Sequence, residues 1–338
     1  MRITHSGPDA FPGPADRRPQ LLVVVDAEEE FDWTKPFDRK SRNVSSIFAN
    51  SRVHEIFDRF SVIPTYCVDQ CIAEDAGAVD FLSGLLKSGH CSIGAQLHPW
   101  VTPPYDEELS DYNSYHGNLP EQLERAKIKT VTDTIENSFG ERPHIFKAGR
   151  YGVGRNTIRI LKEFGYKVDC SFVPYTSFQQ DGGPSFIGVK DQPFWLGEAN
   201  EILEVPLSKG YSGHLAGCWP SVFGGFFDSE LARQLKGPGI LAKTGLLERA
   251  VLSPEGVSAV EQIRLMRSML KRGKRIFTLT YHSSSLSPRN TPYVRNEVEL
   301  EEFLQRIEGV LSFFQHEIGG EFTTLDRIRS EAIGFSPS

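Results

Sequence analysis

The chain has no apolar run long enough to cross a membrane. Its longest aliphatic stretch, Leu21-Leu22-Val23-Val24-Val25, falls far short of the roughly 20 residues a spanning helix needs. Cysteine is scarce: 5 in 338 residues (Cys67, Cys71, Cys91, Cys170 and Cys218), an odd number with no Cys-x-x-Cys pair, which excludes a disulfide framework and a zinc ribbon. An excess of positive charge is missing too. Lys and Arg number 37 against 44 Asp and Glu, for a net charge of -7, so the basic footprint of a general nucleic-acid binder is absent. The first 19 residues lack an apolar signal core and carry Pro8, Pro12, Pro14 and Pro19. They read as a disordered leader rather than a secretory signal, and a cytoplasmic location is expected. No internal repeat and no composition shift divides the rest, so one domain is expected over residues 20–335.

What the sequence does contain is a regular alternation of β-rich and amphipathic runs. Hydrophobic residues make up 39% and charged residues 24%, enough apolar material for a sizeable core. Strands are expected at 21–25, 62–68, 91–97, 144–147, 167–172, 202–207 and 275–281, with a short last one near 322–325. Helices are expected at 44–60, 76–87, 119–139, 156–164, 229–235, 254–271 and 298–316, several of them stopped by a glycine such as Gly89, Gly140 or Gly165. This alternation predicts an α/β fold: a distorted barrel of seven or eight parallel strands with helices outside, an open doubly wound sheet being the alternative. The turn after the first strand reads Asp26-Ala27-Glu28-Glu29-Glu30. Acids in that place repel a pyrophosphate and exclude a dinucleotide site.

In such a barrel, catalytic groups gather at the C-terminal ends of the strands. The first strand ends in Asp26; Glu28, Glu29 and Glu30 read as a solvated acidic run, but alternation turns Asp26, Glu28 and Glu30 one way, so Glu28 is the one of the three expected to share the site. The third ends in Gln96-Leu97-His98, the fourth runs into Lys147-Ala148-Gly149-Arg150-Tyr151, the fifth holds Asp169, and the seventh ends in Tyr281-His282. Carboxylates and imidazoles on one rim are the groups of a metal-assisted or acid–base hydrolase. Each also has a plainer reading: Asp26 as a cap, and His98 and His282 as packed histidines. Long loops follow at 99–118 and 174–201, and loops of that length inside a domain are usually functional. Trp33 and Trp100 follow the acidic and histidine clusters and offer flat faces for a sugar ring, or equally plugs for the barrel mouth.

Taken in order, these segments resemble the motifs of the polysaccharide deacetylases with the NodB-homology fold, the carbohydrate esterase type. Val25-Asp26-Ala27-Glu28 resembles the first motif, Ile93-Gly94-Ala95-Gln96-Leu97-His98 the second, and Phe146-Lys147-Ala148-Gly149-Arg150-Tyr151-Gly152 the third. Val168-Asp169-Cys170-Ser171 resembles the fourth and Leu279-Thr280-Tyr281-His282 the fifth. The resemblance implies removal of an acetyl group, by amide or ester hydrolysis, from a sugar or glycan precursor. Asp26 would be the general base. His282 would be the general acid, kept protonated by a carboxylate such as Asp169. Arg150 or Lys147 would orient Asp26 or bind substrate, and a backbone N–H near Tyr151 would help hold the oxyanion. A divalent metal, with zinc first in line, would be held by Glu28 and His98. Its third ligand would be Gln96, His116 or water, because Gln96 stands where the family commonly has a histidine. Trp33, Trp100, Tyr151 and Lys147 would contact substrate. The Gln96 position leaves two alternatives: a metal-independent hydrolase of a small amide or cyclic imide, and a barrel that binds a glycan without turnover.

Overall fold

Strand β1 (Gln20–Ala27) is buried on both faces along its whole length, as its unbroken aliphatic run requires of a central parallel strand. The computed structural model describes residue 11 and residues 17–32, 35–197, 201–216 and 246–335. Trp33, Cys218, Trp219, the expected helix at 229–235 and most of the expected leader lie outside these residues. The described end of that leader is tied down: the Pro19 carbonyl accepts from the Glu321 amide, and Arg17 pairs with Glu331.

Around β1 lie β2 (Thr65–Val68), β3 (Ser92–Leu97), β4 (Ile145–Ala148), β5 (Val168–Asp169), β6 (Phe194–Leu196), β7 (Ile202–Glu204), the pair β8 (Lys209–Ser212) and β9 (Glu248–Val251), β10 (Ile276–His282) and β11 (Glu321–Phe322). The main sheet runs β10-β1-β2-β3-β4-β5-β7-β6, with β11 beside the start of β1. Every pair in it is parallel except β6 with β7. The sheet curls into the expected parallel barrel, but among the described residues its end strands do not pair with each other. The antiparallel β8–β9 unit lies at that gap, where Leu252 accepts from the Thr280 amide and Ser208 Oγ accepts from the Thr278 amide.

Helices α1 (Asn50–Phe60), α2 (Gln70–Glu74), α3 (Ala76–Lys87), α4 (Glu121–Phe139), α5 (Thr157–Glu163), α6 (Ala259–Lys271) and α7 (Glu297–Ser312) follow the strands, and α8 (Leu325–Phe335) closes the chain. The caps are the ones the sequence supplies. Asp75 accepts from the Ala78 amide to start α3, Ser258 and Glu261 form a reciprocal box on α6, and Gly140, at φ 81°, ends α4. The expected fifth strand at 167–172 is shorter, because beyond Asp169 the ladder is replaced by a side chain: Ser171 Oγ accepts from the Ala148 amide.

Strand parity sorts the core. Leu21, Val23, Val25 and Ala27 pack toward the helices, together with Phe146 and Phe277. Leu22 and Val24 join Cys67, Ile145, Val168, Leu203 and Ile276 in the barrel interior, where Leu325, Ile328 and Ala332 of α8 also pack. Continuing the interior rows to the C-terminal ends gives Asp26 on β1, Lys147 on β4 and His282 on β10. Asp26 and His282 are direct register partners. The same count places Asp169 in the other row, beside Phe146, and so away from the mouth.

Candidate active site

The interior rows open into a cavity of about 420 Å³ lined by Asp26, Glu28, Gln96, His98, Lys147, Arg150, Tyr151 and His282, with Phe31, Phe37, Tyr115 and Phe178 among its apolar walls. Asp26 is almost fully buried, and the Lys147 ammonium donates to its Oδ1 and also to Thr280 Oγ1 at 3.1 Å. Burial works against the Lys147 charge, but the adjacent Asp26 carboxylate outweighs it and holds the lysine above its ordinary range. Lys147 is therefore the group on Asp26, and its ammonium is committed there rather than to a substrate. Arg150 donates to Ser114 Oγ instead.

His282 Nε2 lies 3.7 Å from Asp26 Oδ2 and 3.9 Å from Glu28 Oε1. Its Nδ1–H donates to Glu255, at 2.9 Å to Oε2, and Glu255 also accepts from the His282 amide at 2.9 Å and from Ser285 Oγ at 2.5 Å. Burial alone would lower the imidazole, yet Glu255 and Glu28 raise it to about 10, so it is an imidazolium at neutral pH. The carboxylate behind His282 is thus Glu255, not Asp169. Asp169 accepts from Ser171 Oγ and sits with Glu204 on the helix-facing side of its strand, where burial raises it to about 6. A one-residue change of parity accounts for the correction.

Glu28 accepts from Gln96 Nε2 at 2.7 Å and faces His98 Nε2 at 3.4 Å. Burial pushes its carboxyl up to about 7, against the pull of His282 and His98. His98 Nδ1–H donates to Glu29 at 2.8 Å, which leaves Nε2 as a bare lone pair directed at Gln96, 3.0 Å away. Glu29 is fully buried and also accepts from Trp100 Nε1 at 2.6 Å. Burial lifts Glu29 to about 7, and burial with Glu29 as neighbour lifts Asp69 to about 8. Glu29 is therefore no solvated acid. It is the anchor of His98, and the signal available in the sequence was the tryptophan two residues after His98, whose N–H needs an acceptor when buried. Trp100 is 2% exposed, stacks on His98 with ring centroids 4.3 Å apart and is among the residues that line the cavity. His116 is also buried elsewhere, facing Glu124 at 3.1 Å, and is not a third ligand beside Glu28.

The loop after β4 is strained. Arg150 and Tyr151 both adopt left-handed backbone angles, φ 51° and 59°, at a cost of about 1–3 kcal/mol each. Glycine is required just before them: a Cβ on Gly149 would lie 2.2 Å from His98 Cδ2 and 2.4 Å from the Leu97 carbonyl oxygen. This contact seats the loop directly on His98. Tyr151 then stacks on Phe178, with centroids 5.4 Å apart, and borders the cavity.

The donors around Glu28 have a spacing that bears on metal binding. Ligands about 2.0–2.1 Å from a tetrahedral ion stand about 3.3 Å from one another. Glu28 Oε2 and His98 Nε2 are 3.4 Å apart, with the Gln96 carboxamide within 3.0 Å of both. Gln96 Oε1 is buried without a hydrogen-bond partner, and a half-turn of the amide brings it to the place now held by Nε2. Three donor atoms would then lie within 3.4 Å of one another, and a carboxylate, an imidazole and an amide oxygen are donor types that suit a small divalent cation. Asp26, Glu28 and His282 form another converging group, as do Glu29, Asp69 and His98.

No family model and no curated protein matches the chain. Solved structures do. A protein from Mycobacterium smegmatis designated a polysaccharide deacetylase is 15% identical over 97% of this chain and 96% of its own, with a TM-score of 0.53. Puue allantoinase is 14% identical over 98% of this chain and 96% of its own, with a TM-score of 0.55. At such identities the likeness is one of fold: the chain shares the α/β barrel fold of these two structures. Among the described residues no helix is long and apolar enough to cross a membrane.

Proposed function

We propose that the protein is a hydrolase that removes an acetyl group from a nitrogen or oxygen of a sugar or glycan precursor. The observation that carries this reading is the pairing of Asp26, held by Lys147, with an imidazolium, His282, held by Glu255. The two face each other at 3.7 Å in the wall of one cavity. A carboxylate and an imidazole facing one cavity are the base and acid that acyl transfer to water requires. Asp26 takes a proton from water as its oxygen bonds to the acyl carbon. His282 gives its Nε2 proton to the leaving nitrogen or oxygen as the acyl bond breaks, and acetate and the free amine or alcohol are released. Lys147 fixes the orientation of Asp26. Glu255 fixes the tautomer and charge of His282.

Glu28, His98 and Gln96 are the residues that would hold a divalent metal, zinc being the expected ion. Bound there, such an ion supplies Lewis-acid polarisation of the acyl oxygen and a more acidic water. Glu29 keeps His98 in the tautomer that presents Nε2, and Trp100 keeps both in place. A second reading has an observation of its own: as placed, the Gln96 amide donates to Glu28 and to His98 together, which satisfies both without an ion. That favours a metal-independent amidohydrolase of a small amide or cyclic imide on the same barrel.

The test is acetate release from a panel of N- and O-acetylated sugars by the purified chain, with and without chelator, beside Asp26→Asn. Release that chelation stops and added Zn²⁺ restores supports the first reading. Release of ammonia or ring opening of small amides, indifferent to chelator, supports the second. Equal turnover by the wild type and Asp26→Asn sinks both. A substrate inside the cell belongs to the proposal, and secretion of the protein with activity only on long polymer would overturn that part.

A further inference from the structure

Arg150 takes no part in the acid–base pair, yet it borders the same cavity and is the most elaborately positioned cation at its rim. Its backbone is held left-handed by the loop seated on His98. Its guanidinium lies over two aromatic rings, 5.1 Å from the Phe37 ring centroid and 4.4 Å from that of Tyr115. One edge donates to Ser114 Oγ. The nearest carboxylate is Asp181, at 3.8 Å and beyond hydrogen-bond length, on a side chain 56% exposed. A planar fork of five N–H donors, packed against two rings and only loosely countered, is arranged to accept a planar or tetrahedral oxyanion. At the floor the two cations, Lys147 and His282, are already engaged by Asp26 and Glu255. An anionic substrate gains at the rim and not at the floor, which fixes which end enters first.

We propose that Arg150 forms an oxyanion subsite, so that the substrate carries a carboxylate or phosphate remote from the bond that is cut. This rests on the hydrolase reading for its reaction but not for its binding. Lys35, at the same cavity and paired with Asp32 at 2.9 Å, adds a second and more exposed positive charge to that rim. Contact with the Phe37 and Tyr115 rings and the bond to Ser114 hold the guanidinium at one place on the rim. The prediction is therefore selectivity for an anion at one position rather than a general taste for negative charge.

The experiment is calorimetric titration of the full chain with glucose, glucuronate and glucose 1-phosphate, which needs no turnover. The expected result is binding of one or both anions at least about tenfold tighter than glucose, lost progressively as salt is raised. The carboxylate and phosphate arms identify which oxyanion the fork prefers. Arg150→Gln should abolish the preference and leave glucose unchanged. Asp181→Asn, a change at an exposed side chain, should tighten anion binding about two- to fivefold by removing the competing carboxylate. With a turned-over acidic substrate, Arg150→Gln should raise KM and spare kcat. Equal binding of the three sugars, weaker anion binding in Asp181→Asn, or a loss confined to kcat would each overturn the proposal. Anion-selective binding without any acetate release would uphold the subsite while removing the reaction proposed above.

Discussion

Replacing Lys147 with methionine isolates the ion pair on which the site is built. Lys147 is 1% exposed and Asp26 4%, so neither charge can turn to solvent when the other is removed. Breaking a buried pair by deleting one partner costs about 3–5 kcal/mol, because the remaining charge stays desolvated. The bond from Nζ to Thr280 Oγ1 adds about 1 kcal/mol. Methionine keeps most of the stem volume, so the cavity contribution is small. His282 Nε2, 3.7 Å from the other carboxylate oxygen, compensates part of the loss. The expected destabilisation is about 4 kcal/mol, a large part of the 5–15 kcal/mol that holds a typical domain together. Asp26→Asn in the Lys147→Met background removes the stranded charge and should return about 2–3 kcal/mol, a strong departure from additivity. Urea unfolding followed by tryptophan fluorescence measures this directly, since Trp100 and Trp195 are both buried. A loss below about 1 kcal/mol in Lys147→Met, or additive losses in the double variant, would show that the pair does not anchor the site.

Three further outcomes follow from the same contacts. Glu255→Gln keeps an acceptor on His282 but removes the charge that sustains the imidazolium, so kcat on the acetylated substrate should fall about 10–100-fold with KM nearly unchanged in steady-state kinetics. Gln96→His replaces a carboxamide with an imidazole beside Glu28 and His98 and should tighten Zn²⁺ binding roughly tenfold or more in competition with a chromogenic chelator; unchanged affinity would place the metal elsewhere. His54, buried against Tyr66 with Nε2 2.8 Å from its hydroxyl, is depressed by burial from 6.5 to about 4. The unfolded chain therefore binds that proton first as pH falls. The stability from neutral His54 is whole above about 6.5 and is lost as pH drops through the interval to about 4, a change of about 3 kcal/mol. In His54→Phe, denaturant midpoints should lack that part of the acid decline.

The parts of the site that sequence reading located are those set by counting along buried strands. Asp26 extends the interior row of Leu22 and Val24 by one step, Lys147 follows Ile145 in the same way, and His282 ends the row of Ile276, Thr278 and Thr280 beside Asp26. Once a strand is buried on both faces its parity is fixed, because a shift by one residue would exchange a carboxylate for an aliphatic side chain in the core. Asp169 was not placed by such counting: β5 has only two residues, too few for a pattern to reveal its phase.

Glu255 was beyond such reasoning. It reaches His282 from the segment between β9 and α6, 27 positions earlier in the chain, and no periodicity relates the two. Glu29 lay between these cases. It belongs to the row opposite Asp26 and Glu28, which as a surface turn means solvent. The long loop after β3 folds back over it and brings Trp100 Nε1 within 2.6 Å, and an acid with two buried donors then becomes a structural anchor. The same physical cause runs through both omissions. A loop's path decides which acids are stripped of water, and an acid stripped of water survives only beside a donor or a cation. Glu29 and Glu255 each pair with one of the two imidazoles of the site, His98 and His282. The two acids that sequence periodicity could not place are thus the ones that orient the imidazoles on which the proposed chemistry depends.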